Sequence, residues 1–97
     1  MTQMNSPQIQ VKMDDETMKG RYANMMQVAH NKEEFVLDFM NVFPPGGIVT
    51  ARVVTSPGHL KRIMRALNEN LQRYEQSFGA IKEAEGPNEG KFGFETK

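Results

Sequence analysis

EFVLDFMNVFPPGGIVTARVVTSPGHLKRIMRALNENLQRYEQSFG, residues 34–79, is the stretch on which the fold turns. Two apolar runs of strand composition, 35–43 and 48–55, flank Pro44-Pro45-Gly46-Gly47, a cluster of turn formers. Alternation along the first run puts Phe35, Leu37, Phe39 and Phe43 on one face. Val36, Met40 and Val42 take the other, interrupted by Asp38. Apolar residues on both faces mark a central strand covered on both sides. In the second run Val49, Ala51 and Val53 share one face, and Ile48, Thr50, Arg52 and Val54 share the other.

The second run passes through Ser56-Pro57 directly into a helix. Ser56 is suited to cap the first turn, and Pro57 to the first helical position, where a missing N–H leaves nothing unpaired. Leu60, Met64, Leu67, Leu71, Tyr74 and Phe78 recur at steps of four and three, with Ile63 widening the stripe. Gly79 suits the left-handed turn that closes a helix, and Glu69 with Arg73 forms a favourable pair four residues apart. At ~1.5 Å per residue the helix is ~33 Å long, enough to cross a four-stranded sheet. The stripe also has heptad-like spacing. It lasts less than three heptads and starts at a proline, so covering a sheet is preferred to a coiled coil. A single helix covers one side of a sheet. The second apolar side needs a partner, most simply another copy of the same sheet.

Upstream, residues 8–13 alternate cleanly, with Ile9, Val11 and Met13 on one face, the pattern of a half-buried edge strand. Asp14-Asp15-Glu16 breaks the run and Gly20 marks a bend. Residues 22–30 read as a further strand, because Asn31-Lys32-Glu33 then makes a short hairpin connection; the Ala and Met content leaves a helix as the alternative. The expected fold is therefore α+β: a four-stranded antiparallel meander followed by one long C-terminal helix, β-β-β-β-α, in a sheet-paired oligomer. Residues 1–7 and 82–97 are expected as flexible tails around a single domain at 8–81.

A chain of 97 residues makes one small domain, and a chain this short buries only ~60–70% of its unfolded surface, which favours pairing with another chain. The absence of cysteine excludes disulfides and thiolate metal sites. Twelve basic residues balance twelve acidic ones, so no general field draws the chain to nucleic acid or membrane. The polar start, MTQMNSPQ, is unlike a signal peptide. No apolar run approaches the ~20 residues needed to cross a bilayer. A cytoplasmic protein without membrane association is expected.

Four groups of residues invite a functional reading. His59, Lys61, Arg62 and Arg65 gather cations at the start of the helix, where its dipole is already positive. A solvated basic face is the simpler account; a bound anion such as phosphate, or a partner's carboxylate, is the alternative. Asp38 in the apolar strand needs a counter-charge, and Arg52 on the next strand is the candidate for a structural ion pair. Phe92 and Phe94, in a Gly-rich tail, suit docking on another chain as a strand added to a sheet edge; the alternative is an unstructured tail or a rim contact on their own domain. Met25, Met26, Met40 and Met64 are expected to fill core gaps. His30 and His59, the only histidines, fit no metal-ligand spacing, and no nucleophile motif or phosphate loop is present. No cofactor or metal is expected.

The runs EFVLDFMNVFP and ARVVTSPGHLKRIMRALNENLQRYEQSFGAI closely resemble a family of short bacterial and archaeal proteins catalogued as a domain of unknown function. The most distinctive pieces are Phe35-Val36-Leu37-Asp38-Phe39, Arg52-Val53-Val54-Thr55-Ser56-Pro57 and Tyr74-Glu75-Gln76-Ser77-Phe78-Gly79. The resemblance spans roughly residues 8–81 and carries over no catalytic or binding residue. Four strands and one helix also look like the preprotein-export chaperone fold, in which sheets and helices pair into oligomers; that likeness is topological and implies no function.

The function expected is a non-enzymatic, oligomeric protein-interaction module, chaperone-like or an adaptor, with homo-oligomers and a polypeptide as partners. The competing expectation is a nucleic-acid or phosphate-ligand binder using His59, Lys61, Arg62 and Arg65, which the balanced charge disfavours.

Overall fold

The structure, a computed structural model, describes residues 7–86. A short helix, α1 (Asp15–Lys19), precedes three strands, β1 (Met25–His30), β2 (Phe35–Phe43) and β3 (Gly46–Thr55), and a long helix, α2 (Pro57–Phe78). The strands form one antiparallel sheet in the order β1-β2-β3. The chain is thus α+β, with three strands in the sheet among the described residues rather than the expected four.

Local chemistry explains the boundaries. Asn31 closes the β1–β2 hairpin: its side-chain oxygen accepts from the N–H groups of Glu33 and Glu34 at 2.8 Å each. Asn24 decides where β1 begins. Its amide group donates to the Val42 carbonyl at 3.0 Å and its oxygen accepts from the Val42 N–H at 2.9 Å, so a side chain stands in for the next rung of the ladder. The expected strand at 22–30 is therefore correct in type but starts at Met25. The β2–β3 turn is tighter than expected, because Gly46 and Gly47 already belong to β3 and only Pro44-Pro45 turns. A Cβ on Gly47 would approach the Val42 side chain to 3.1 Å, a crowding that glycine avoids.

A bulge in β3 corrects the expected facing of its residues. Phe39 pairs with Ala51 and Met40 with Val49, which leaves Thr50 as the extra residue. Its hydroxyl donates to the Phe39 carbonyl at 3.1 Å. Beyond the bulge the alternation reverses, so Val49 shares a face with Arg52 and Val54, while Ile48 joins Ala51 and Val53. Sequence alternation carried through 48–55 without interruption misses this switch.

A further expectation fails at 8–13, and the break after it proves to be a helix start. Residues 8–13 form no regular element and belong to no ladder, and Ile9 and Val11 are each 84% exposed. The Asp14-Asp15-Glu16 break is itself the start of α1, capped by the Asp14 carboxylate, which accepts from the Thr17 N–H at 2.7 Å. That bond holds the Asp14 carboxyl below the usual range.

The larger correction concerns α2. The helix starts and stops where its caps predict: the Ser56 hydroxyl accepts from the His59 N–H at 3.1 Å, and Gly79, at φ 94°, donates back to the Glu75 carbonyl. Yet it does not cover the sheet, and none of its residues is buried. The cause is the joint. Ser56 alone separates β3 from α2, its extended backbone (φ −78°, ψ 157°) is fixed by its own capping bond, and Pro57 follows at once. No slack remains to fold the helix back.

The core accordingly lies on β2 alone, where Leu37, Met40 and Val42 are buried. Met40 is the one methionine of the four expected core fillers that is buried; Met26 and Met64 are exposed. The radius of gyration is 17.8 Å, where a compact chain of this length has ~12.5 Å. The accessible surface is 9388 Å², against ~5,600 Å² for a compact monomer of this mass.

Candidate functional site

Three rows of cross-strand partners define one face of the sheet: Met26–Phe39–Ala51, Val28–Leu37–Val53 and His30–Phe35–Thr55. Asn41 with Ile48, and Phe43 with Gly46, extend it toward the turn. This face carries no acidic, Lys or Arg side chain. Met26, Val28, Val53, Ile48 and Phe43 on it are exposed, Val53 by 45%. His30 sits at its far end with its ring 5.1 Å from that of Phe35.

The opposite face carries a charge pair at its centre. Gln27, Asp38 and Arg52 form one row, between Met25–Met40–Val49 and Ala29–Val36–Val54. Arg52 Nε donates to Asp38 Oδ1 at 2.7 Å and Nη2 to Oδ2 at 2.8 Å, a two-bond fork across the ladder. Asp38 is buried at 8% exposure. The Arg52 hydrogen bond holds its carboxyl below the usual range against the opposing effect of burial, and raises Arg52 in turn. The two residues serve each other.

On α2, the stripe of Leu60, Ile63, Met64, Leu67, Leu71, Tyr74 and Phe78 spans an arc of ~100° at ~100° per residue. Leu67 is 66% exposed and Phe78 75%. The rings of Tyr74 and Phe78 pack against each other at 4.9 Å. Arg62 and Arg65 lie roughly opposite the stripe, with His59 and Lys61 on its two flanks. None of the four takes part in an ion pair among the described residues, whose ion pairs are Lys19–Glu16 and Arg52–Asp38. The expected Glu69–Arg73 pair is likewise not formed. Asn70 donates to the Ala66 carbonyl at 3.2 Å, within the helix. Burying the stripe would leave the basic residues facing water.

An open hollow of about 410 Å³ lies beside the charge-free face, lined by Glu16, Thr17, Gly20, Arg21 and Ala23 on one side and Phe39, Thr50 and Ala51 on the other. Sequence reasoning missed it, because α1 reads only as a charged interruption. It also missed Asn24, whose role depends on a partner eighteen residues away. Phe92 and Phe94 lie outside the described residues. Among the described residues no group of three His, Asp or Glu side chains is placed to hold a metal ion. No described helix is long and apolar enough to cross a membrane.

Two comparisons, with the curated proteins and with the solved structures, give no match to this chain. The family models give one: residues 1–83 match the family described as Protein of unknown function (DUF3467), and the chain belongs to that family.

Proposed function

We propose that this protein is a non-enzymatic, oligomeric interaction module that acts by burying apolar surface against polypeptide. The observation that carries the reading is the coexistence of two exposed apolar surfaces, the α2 stripe and the charge-free sheet face, on a chain of 97 residues. Contiguous apolar surface of this extent marks a site of protein association. An oligomer uses part of it internally; an adaptor or chaperone-like role uses the remainder on another chain.

The experiment is mass by light scattering after size exclusion at micromolar concentration, followed by titration of the assembled species with a permanently unfolded, carboxymethylated polypeptide. An oligomer that binds the unfolded chain supports the reading. A compact monomer that binds neither that chain nor a hydrophobic dye overturns it.

A further inference from the structure

We infer that the charge-free face of the sheet is the seat for helix α2 of a second copy, the two copies exchanging helices about a two-fold axis. The inference rests on the interaction-module reading and names its first partner as the chain itself.

Four observations converge on a second copy. The stripe and the face are both apolar; no residue of the stripe is buried, and on the face Met26, Val28, Phe43, Ile48 and Val53 are exposed around a buried Leu37. The one-residue joint at Ser56, locked by its capping bond and followed by Pro57, keeps α2 off its own sheet. A two-fold arrangement satisfies both surfaces at once, since helix-on-sheet contact in one direction is repeated in the other. The dimensions also agree. A helix ~33 Å long and ~10 Å wide has a footprint of ~330 Å². Two footprints, each covering both contacting surfaces, come to ~1,300 Å², within the ~1,200–2,000 Å² of stable interfaces.

Polarity selects this face over the other. Seating a helix on the opposite face would desolvate Arg52, whose side chain is 62% exposed, above a buried Asp38, and removing charge from water is costly. The charge-free face holds no ion pair, and the charged side chains nearest it, Glu16 and Arg21, border it only at the Phe39–Ala51 row. In the seated helix Arg62 and Arg65 point away from the sheet and Lys61 lies at the rim. The Asp38–Arg52 face remains outside the exchanged pair.

The chain contains no cysteine, so introduced thiols report without background. Two single-cysteine variants of the full chain, Val53→Cys and Leu67→Cys, are mixed, unfolded and refolded together, then treated with a short bismaleimide. Exchange predicts a covalent dimer joining the two variants, drawn from the about half of all dimers that are mixed by chance in a two-fold assembly. Arg65→Cys in place of Leu67→Cys is expected to abolish that product. Should either variant lose its circular dichroism, Ile48→Cys with Met64→Cys replaces the pair. A Leu67–Leu67 product without the mixed one overturns helix exchange in favour of helix-against-helix contact, yet leaves the interaction module standing. A double variant Val53→Cys/Leu67→Cys that closes within one chain also overturns it. A monomer by light scattering removes both readings.

Discussion

Asp38 shows how one residue links folding to pH. Its carboxyl is held below the ordinary range by Arg52, so the folded state binds fewer protons than the unfolded one as pH falls through about 4. The resulting stability is complete above the unfolded value and is lost as pH drops through the lowered folded value. The denaturation midpoint should therefore fall more steeply with acidification in the native protein than in Asp38→Asn, which lacks the titrating group. Parallel curves for the two would show that the pair adds nothing to pH dependence. Asn24 makes a separate prediction. Asn24→Ala removes both side-chain bonds to Val42 and leaves a strand end unpaired, so it should cost about 1–3 kcal/mol in urea unfolding. A loss below a few tenths would mean that water replaces the amide.

At the scale of elements, the contrast between α2 and residues 8–13 explains what a sequence discloses. The start and end of α2 depend on Ser56, Pro57 and Gly79, and β2 on its own alternation; both are local, and both were legible. Whether Ile9, Val11 and Met13 find a neighbouring strand depends on an edge far away in the chain. No periodicity encodes that distance, and the described chain supplies no such neighbour. Thr50 is intermediate. Its bulge shifts which of Ile48 and Val49 faces which side, and only the partner register reveals it. The candidate ion pair was legible as a pairing of residue types on adjacent strands, whereas the hollow beside α1 was not legible at all. The cap itself is testable: Ser56→Ala should cost about 1 kcal/mol. An unchanged midpoint would mean that Pro57 alone suffices to start the helix.

For the whole molecule, the small core on β2 and the extended outline bear on how stability should be measured. A folded state that requires a second copy gains stability from mass action, so its melting temperature rises with protein concentration. We expect a rise across a hundredfold dilution series, monitored by circular dichroism. A melting temperature constant throughout that series would show that the monomer is stable unaided.

The tight junction between β3 and α2 has one last consequence, which concerns rotational phase. Each residue added after Gly58 advances the rest of the helix by ~1.5 Å and turns it by ~100°. One inserted alanine therefore points Leu67 and Phe78 sideways, and two point them almost backwards. Four bring the stripe to within ~40° of its original heading, displaced by ~6 Å. Assembly measured against insert length should consequently oscillate with the helical repeat, failing at one and two and partly returning at four.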